Sequence, residues 1–475
     1  MDSANVLGIF EEITRIPRES GHEEEMTAFL RKFAKDRNLP CHTDECGNVM
    51  ISKEATPGKE DVPTLVLQGH QDMVCEKRSG VEHDFLKDPI EYVIEDGWMI
   101  AKDTTLGADD GIGVAAMLAL LESDLPAGKI ECVFTRSEET GMDGAFGMEK
   151  GFFSGRTLIN LDSEDEGQMF IGCAGGLDTV IRFKFGREEI REGGELVSFH
   201  IHDALGGHSG DDINKGRMNT IQVLAKFLHA EAGEREFQLV SMEGGNKPNA
   251  IARECEAIVA TADAEGMMRR FFDYADKVAE EYAATDPDAI FETCLRDSDE
   301  KAIESDVASK LVRALAVCPH GVEAMSADIP GLVETSTNLA SVHLREPGVI
   351  EVVTSQRSSK AESRKAMAGK VAAVFAEAGA EVEHLNDYPG WDPNVNSHIL
   401  DVCVESYERL FGVKPEVKAI HAGLECGLFG EKFGDLDMIS FGPTLRGVHA
   451  PGERLELASL DKFVKHLVDV VVSFR

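Results

Sequence analysis

The alternation of apolar and polar residues predicts helices at the start of the chain, followed by strands and helices in turn. Amphipathic periodicity covers residues 4–16 and about 22–35. The acidic residues 23–25 favour a helix N-terminus, because negative side chains interact well with that end of the helix dipole. Short apolar runs then predict strands at 64–68, 130–135 and 157–161. A segment rich in Ala and Leu, which begins next to a glycine, predicts a helix at 112–121.

The pattern changes character near residue 175 and again near residue 388. Between these points strand patterns are separated by long helical ones, the strands at 179–185 and 197–201 and the helices at 220–230, 267–284 and 362–378. The last segment predicts a helix, a loop, a strand and a closing helix, at 397–410, 421–427, 438–441 and 460–474. Ser459 is a reasonable N-cap for the closing helix, since serine accepts a hydrogen bond from the first turn.

These patterns predict an α/β protein in which one domain is interrupted by another. Alternating strands and helices are typical of a mostly parallel sheet with helices on both faces. A chain of 475 residues is also longer than a domain with a single hydrophobic core usually is. We therefore expect one domain formed by residues 1–178 and 388–475, with an inserted α+β domain at 179–387.

The charge of the chain excludes some classes of partner. Lys and Arg number 48 against 86 Asp and Glu, which gives a net charge of −38. Such a field repels phosphate backbones and anionic lipids, so neither nucleic acid nor a membrane is expected as a partner. The start of the chain lacks the features of a signal peptide, and the 10 cysteines are scattered without a Cys-x-x-Cys pair. Reduced thiols and a cytoplasmic location are therefore expected.

Residues able to bind metal follow the predicted strands. His70 comes after the strand at 64–68, Glu138 and Glu139 after the one at 130–135, and Asp162 after the one at 157–161. His449 lies in the loop beyond the strand at 438–441, and Asp109 precedes the helix at 112–121. Ligands of open α/β sheets bind beyond the carboxyl ends of the strands, so these side chains are expected at one edge.

The chemistry of this set suits a catalytic metal site. Two histidines and several carboxylates match Zn²⁺, Mn²⁺ or Co²⁺ better than a thiolate site would. Asp72 can accept the second imidazole N–H of His70, and of the adjacent Glu138 and Glu139 one can ligate while the other moves protons. Taken singly, each residue has an ordinary interpretation, such as an N-capping Asp109 or a surface His449. Only the whole set at one sheet edge favours metal-assisted hydrolysis.

The segments that carry these residues resemble a known family. They read Gly-His-Gln-Asp-Met-Val at 69–74, Leu-Gly-Ala-Asp-Asp-Gly-Ile-Gly at 106–113, Ser-Glu-Glu-Thr-Gly at 137–141, Asn-Leu-Asp-Ser at 160–163 and Gly-Val-His-Ala-Pro-Gly-Glu at 447–453. Across nearly its whole length the chain resembles the aminoacylase/carboxypeptidase/dipeptidase zinc metallopeptidases. Three more segments point to the Xaa-His (aminoacyl-histidine) dipeptidase branch, at 206–210, 244–252 and 421–427.

The resemblance implies a role for each candidate ligand. Asp109 would bridge two zinc ions, of which one also binds His70 and Asp162 and the other binds Glu139 and His449. Glu138 would be the general base, and the Asp109–Asp110 peptide would be cis. The branch often has Asn where this chain has Asp110, which changes the local charge balance.

The resemblance also assigns residues outside the metal site. The inserted domain would be a lid from which Asn249 and Arg357 hold the substrate carboxylate and His208 polarises the scissile carbonyl. A planar guanidinium such as that of Arg357 suits capture of a free carboxylate. Glu425 would either bind the substrate amine or brace its own loop. Asn249 can alternatively hold a turn, since it follows Pro248.

The expected activity is hydrolysis of short unblocked peptides, chiefly dipeptides that include Xaa-His. One alternative keeps the mechanism but removes acyl groups from N-blocked amino acids, and another is a metal-free binding protein without catalysis. Family relatives are dimers in which the lid of one subunit reaches the partner's site, so a homodimer through the lid is expected. A monomer whose long lid imitates the partner is the alternative.

Overall fold

The computed structural model describes residues 1–297, 299–327, 329–346 and 348–475, with the Glu346 side chain excepted. The chain divides into two compact units. The first unit comprises Met1–Gly172, Trp391–Ala419 and Leu424–Arg475, and the second comprises Cys173–Gly390 and Ile420–Gly423. The second unit is thus inserted in the chain of the first and also takes a short piece of its last segment.

Helices are distributed over both units. In chain order they are α1 (Ser3–Ile13), α2 (Glu24–Asp36), α3 (Ala108–Glu122), α4 (Asp143–Gly147), α5 (Thr220–Glu234), α6 (Ala264–Glu281), α7 (Ser305–Val317), α8 (Ala361–Glu377), α9 (His398–Phe411), α10 (Glu425–Phe433) and α11 (Leu457–Ser473). Within the described residues, none of these helices is both long enough and apolar enough to cross a membrane.

Strands alternate with these helices along the whole chain. The strands up to residue 173 are β1 (Cys41–Thr43), β2 (Val49–Lys53), β3 (Leu65–His70), β4 (Tyr92–Glu95), β5 (Trp98–Ala101), β6 (Ile130–Thr135), β7 (Thr157–Asn160) and β8 (Gln168–Cys173). The next group is β9 (Gly175–Lys184), β10 (Arg187–Glu188), β11 (Glu195–His202), β12 (Gly207–His208), β13 (Gln238–Gly245), β14 (Ala250–Ile251), β15 (Cys255–Thr261), β16 (Ile290–Arg296), β17 (Ala302–Ile303), β18 (Gly321–Met325), β19 (Val333–Glu346), β20 (Val349–Ser358) and β21 (Glu381–Tyr388). The last are β22 (Glu416–Ile420), β23 (Asp437–Ser440), β24 (Leu445–Arg446) and β25 (Arg454–Glu456).

The main sheet of the first unit has a parallel centre. Its strand order is β1-β2-β6-β3-β7-β23-β8-β22. Strand β3 pairs in parallel with β6 and β7, and β7 pairs in parallel with β23. Strands β1, β2 and β8 join this centre antiparallel to their neighbours. The predicted α/β class is confirmed, and β3 and β6 are buried along their whole length, as continuous apolar runs predict.

Helix α3 shows how the first unit positions a functional residue. Every residue from Ala108 to Leu121 is buried, so the helix lies in the interior rather than on the surface. Its backbone is not helical at Asp109 and Asp110, and regular helix starts only after them. The Asp109–Asp110 peptide is cis, as the resemblance implied. Asp109 therefore precedes the regular helix, where the sequence placed it.

The second unit is built on a largely antiparallel sheet. Its strand order is β16-β11-β15-β13-β19-β20-β9-β21, with β18 paired to β19. Helices α5 to α8 contribute buried side chains to one core with this sheet, among them Leu224, Phe271, Leu315 and Phe375. From Val197 to His202, strand β11 alternates between apolar and polar residues, which is the pattern of a sheet with one covered face.

Two local predictions were wrong. The segment 421–427 was expected to be a loop, but α10 begins at Glu425, and burial of Leu428 and Phe429 outweighs the weak helix propensity of its two glycines. Ser459 was expected to cap the last helix, but α11 starts at Leu457 with Glu456 as N-cap. The Ser459 hydroxyl instead donates to the Glu456 carbonyl and accepts the Thr444 N–H.

Candidate metal centre

The candidate ligands lie at the carboxyl ends of neighbouring parallel strands. His70 ends β3 and is paired in register with Thr135, the last residue of β6. Glu138 and Glu139 follow Thr135, and Asp162 follows β7, the other neighbour of β3. The structure thus brings together residues that are up to 92 positions apart, because parallel strands place their carboxyl ends side by side.

Asp109 lies between the two histidines. Its Oδ1 is 3.0 Å from His70 Nε2, and its Oδ2 is 3.1 Å from His449 Nε2. Asp162 Oδ1 lies 3.6 Å from His70 Nε2, and Glu139 Oε2 lies 3.0 Å from His449 Nε2. The five predicted ligands therefore form two groups that share Asp109, with one histidine and one further carboxylate in each.

The concentration of negative charge at this point suits a cation. Burial raises the pKa of Glu138 well above its ordinary value, and the Glu139 carboxylate adds to the shift. Burial likewise raises the pKa of Asp162, with the charge of Asp109 as a further cause. Burial also raises the pKa of Glu164 to about 7. Divalent ions would counter this repulsion and keep the carboxylates ionised, so the residues present fit a metal site.

Asp72 holds both the first histidine and the paired glutamates. Its Oδ1 lies 3.3 Å from His70 Nδ1, on the opposite side of the ring from Asp109. The same oxygen accepts the Glu138 N–H at 3.1 Å, and Oδ2 accepts the Glu139 N–H at 3.3 Å. The sequence predicted the first contact but not the second. A single buried carboxylate thus sets the positions of a candidate ligand and of the candidate base.

Glu453 supports the loop that carries Asp109, and sequence reasoning gave it no role. One carboxylate oxygen accepts the N–H groups of Leu106 and Gly107, and the other accepts those of Ala108 and Asp109. These are the free N–H groups expected at the start of a helix, here satisfied by a buried carboxylate. The only sequence signal was proximity, since Glu453 follows His449 by four residues in the same motif.

We expect Glu453→Gln to weaken metal binding without removing a ligand. Partners that orient metal ligands typically contribute about 10- to 100-fold to metal affinity, and the amide presents only one acceptor atom to four N–H groups. Competition with a chelator of known affinity measures the effect. Glu456→Gln, at a partly exposed neighbouring position, is the control and should bind metal like the wild type. Equal metal affinity in Glu453→Gln and the wild type would contradict the positioning role.

Two further buried residues brace the site and were not predicted. Arg18 donates to the Asp72 carbonyl at 2.6 Å and also to the Gly107 carbonyl, so it links the two ligand-bearing loops. Glu23 accepts the Ser137 N–H at 3.0 Å and its hydroxyl at 2.9 Å, just before Glu138. The sequence assigned Glu23 to a helix N-terminus. The structure shows it as the residue before α2, with no capping bond to that helix.

Asp110 is buried behind the site, where two glycines make room for it. Its Oδ2 accepts the His70 N–H at 3.2 Å. A Cβ at Gly69 would lie 2.0 Å from Asp110 Oδ2, and one at Gly113 would lie 2.2 Å from Oδ1. Burial raises the pKa of Asp110 well above its ordinary value. Burial thus disfavours the negative charge that Asp adds where the branch often has the neutral Asn.

Glu425 is fully buried in the first unit. Its Oε2 accepts hydrogen bonds from Gln68 Nε2 at 2.6 Å and Thr135 Oγ1 at 2.7 Å. Both donors belong to the strands that carry His70 and precede Glu138. Burial raises the pKa of Glu425 to about 7. These contacts hold Glu425 against β3 and β6, and its two predicted roles, binding of a substrate amine or bracing of its own loop, both stay predictions.

The other predicted substrate residues lie together in the second unit. Strands β12 and β14 pair His208 with Ala250, next to Asn249, and the Asn249 carbonyl accepts the Ser209 N–H at 2.8 Å. Arg357 is buried and donates from Nε to Ser209 Oγ at 3.3 Å. The pairing of β12 with β14 and the hydrogen bond from Arg357 thus bring together residues from three distant segments of this unit.

Two residues that sequence reasoning did not single out join this group. The Tyr388 hydroxyl accepts from Arg357 Nη1 at 3.3 Å, and His421 Nε2 lies 2.8 Å from Ser336 Oγ. Burial lowers the pKa of His421 to about 3, with the positive charge of Arg357 as a second cause. The sequence showed a change of pattern near residue 388 and a family-like segment at 421–427, but nothing in either indicated these contacts.

Comparison with known proteins identifies related chains over nearly the full length. Residues 66–473 match the model of peptidase family M20/M25/M40. The cytosol non-specific dipeptidase of Escherichia coli (strain K12) is 36% identical over 466 residues, which cover 98% of this chain and 96% of that protein.

Solved structures show the same similarity. The aminoacylhistidine dipeptidase of Vibrio alginolyticus is 37% identical and has a TM-score of 0.91, over 99% of this chain and 97% of that one. The aminopeptidase PepT of Bacillus cereus shares the fold, with a TM-score of 0.58 at 17% identity, over 99% of this chain and 98% of that one.

Proposed function

Because the chain belongs to peptidase family M20/M25/M40, we propose that this metallopeptidase hydrolyses short unblocked peptides, chiefly dipeptides that include Xaa-His. The observation that carries the proposal is the position of Asp109, with one carboxylate oxygen at each of two histidines. Two relatives named as dipeptidases match almost the whole chain at 36% and 37% identity, and this supports the substrate class.

The centre is proposed to hold two Zn²⁺ ions, for which Mn²⁺ or Co²⁺ can substitute. Asp109 would serve both ions, His70 and Asp162 one of them, and Glu139 and His449 the other. The donor set of imidazole nitrogens and carboxylate oxygens is that of catalytic zinc sites. When bound, the ions supply Lewis acidity, which activates water and polarises the scissile carbonyl.

Glu138 is proposed to move the proton in this reaction. Its backbone is held by Asp72, and its carboxyl lies within the electrostatic reach of His70, Glu139 and Asp109. In this role it takes a proton from the attacking water and passes it to the nitrogen of the leaving amine. Asp72 keeps His70 and Glu138 in fixed relation and so acts as a positioning residue.

The second unit is proposed to act as a lid that carries substrate-binding residues. Most of this unit is the predicted lid of residues 179–387, and residues 1–178 and 388–475 form the proposed catalytic domain. Arg357 and Asn249 would bind the substrate carboxylate, and His208 would stabilise charge on the carbonyl oxygen. The contacts of Arg357 with Ser209 and Tyr388 support this role, because they hold the guanidinium in one orientation.

A substrate panel tests the proposed function. The metal is stripped with a chelator, and Zn²⁺, Mn²⁺ or Co²⁺ is added back before dipeptides, tripeptides and acetyl-amino acids are supplied. Dipeptides, Xaa-His among them, should be cleaved fastest, and the chelated enzyme should be inactive. Faster release of acetate from acetyl-amino acids would instead support the alternative, a deacylase on the same scaffold. Full activity after chelation would overturn the metal mechanism.

A homodimer through the lid is the proposed assembly, with cytoplasmic location. In this arrangement His208 of one subunit would complete the site of its partner, as in an isologous pair. The alternative is a monomer in which His208 acts within its own chain.

Mixing two inactive variants distinguishes these assemblies. His208→Ala and Glu138→Gln are combined in equal amounts, and subunit exchange is followed with two affinity tags. If His208 acts in trans, each mixed dimer has one working site, and activity should recover to about a quarter of wild type. Each variant alone is the control. Exchange without any recovery of activity would show that His208 acts within its own chain.

A further inference from the structure

A second cluster of metal-binding side chains lies on the sheet of the second unit, away from the residues discussed above. His200 and His202 belong to β11, and Glu292 belongs to the neighbouring strand β16. One ligand atom from each of the three lies within 4.8 Å of the other two. The two imidazole rings are 4.5 Å apart between centroids, with an angle of 31° between their planes.

The alternation of β11 explains why the histidines face outward together. Val197, Phe199 and Ile201 are fully buried in the core, so the residues between them point to the opposite face. His200 and His202 are two residues apart and therefore share that face. Strand β16 pairs His200 with Glu292 in register, which places the carboxylate beside both rings. The cluster is thus a direct result of strand periodicity and register.

The distances agree with a metal site. His202 Nε2 lies 3.4 Å from Glu292 Oε2. Two ligand atoms of a tetrahedral zinc ion, each about 2.0–2.1 Å from it, are separated by about 3.3–3.4 Å. Glu254 Oε1 lies 3.0 Å from His200 Nε2 and offers a fourth ligand atom next to that ring.

A further carboxylate orients His202. Asp203 Oδ2 lies 3.1 Å from Nδ1 of that ring, on the side away from Glu292. A carboxylate that accepts the Nδ1 proton leaves Nε2 with its lone pair for a metal, which is the usual arrangement around metal-bound histidines. His343 offers a contrast, since its Nδ1 lies 2.7 Å from Glu243 and no metal-binding group that includes it occurs among the described residues.

We propose that His200, His202 and Glu292 bind one divalent transition-metal ion, with Glu254 as an additional oxygen ligand. Imidazole and carboxylate together favour Zn²⁺, Ni²⁺ or Cu²⁺ over Mg²⁺ or Ca²⁺. This ion is additional to those of the candidate metal centre, and the proposal does not depend on the peptidase reaction. The net charge of −38 favours accumulation of cations near the protein.

The position of the site indicates a structural effect. Strand β16 forms the end of the sheet order in the second unit, and it is bonded to β11 as its neighbour there. An ion that joins His200 and His202 to Glu292 would link these two strands through side chains. Binding should therefore slow local opening of the edge strand, which hydrogen exchange of the 290–296 amides detects.

The test compares the metal content of holoprotein variants. Wild type, His200→Ala/His202→Ala, Glu292→Gln and the control His343→Ala are dialysed against the same micromolar Zn²⁺, and bound zinc is counted per chain. The double variant should hold one equivalent less than wild type, Glu292→Gln should bind that equivalent more weakly, and His343→Ala should match wild type. Zinc should also slow exchange of residues 290–296 in wild type but not in the double variant.

Equal zinc content in wild type and the double variant would overturn the proposal. The cluster would then consist only of contacts between the two histidines and their neighbouring carboxylates. Glu292 has a side chain that is 64% exposed, so Glu292→Gln keeps the test valid if the double variant fails to fold. Loss of peptidase activity has no bearing on either readout, so failure here is distinct from failure of the proposed function.

Discussion

Glu138→Gln should abolish peptide hydrolysis and leave the bound metal in place. The amide cannot accept the proton of the attacking water, and loss of a general base typically lowers the rate by about 10²- to 10⁴-fold. The substitution removes no predicted ligand, and the backbone contact of residue 138 with Asp72 is kept. Steady-state hydrolysis of a dipeptide and elemental analysis of the same sample measure the two results.

A neighbouring carboxylate provides the control for this experiment. Asp143 begins α4 in the same stretch of chain and is exposed, so Asp143→Asn should retain wild-type activity. If Glu138→Gln kept more than a few per cent of the wild-type rate, Glu138 would not be the base. If it lost metal as well as activity, Glu138 would have to be counted among the ligands.

Asp109→Ala should release both metal ions together. Each oxygen of this carboxylate lies about one hydrogen-bond length from a different histidine, so its removal affects both halves of the site. The unfolding temperature of the metal-treated protein should fall too, because ions that bind the folded state stabilise it. Elemental analysis after gel filtration, with thermal unfolding of the same sample, measures both effects.

Asp162→Ala is the matched comparison for the bridging role. Asp162 lies near His70 and not between the two histidines, and so its removal should weaken only one of the two ions. Comparison of the two variants distinguishes a ligand that serves both ions from a ligand that serves only one. Retention of one ion at full occupancy in Asp109→Ala would rule out the bridging assignment.

The sequence by itself determined the α/β fold and which candidate ligands come together. Apolar runs at 64–68, 130–135 and 157–161 predicted strands that the structure places at Leu65–His70, Ile130–Thr135 and Thr157–Asn160. This succeeds because burial on both faces imposes continuous apolar character on a parallel strand. The polar residues that follow such strands must meet at one edge of the sheet. Their convergence was therefore predictable without coordinates.

Only the tertiary structure decided which groups hold these ligands in position. Asp72 accepts the backbone N–H groups of Glu138 and Glu139, Glu453 accepts four N–H groups of another loop, and Arg18 donates to the carbonyls of two loops. Bonds of this kind join a side chain to backbone far away in the sequence, so they impose no periodic pattern. Glu23 does lie at the start of a helix, as the sequence predicted, but no local pattern indicated its hydrogen bonds with Ser137. A local pattern records burial and periodicity, whereas such partners depend on which distant loops the fold brings together.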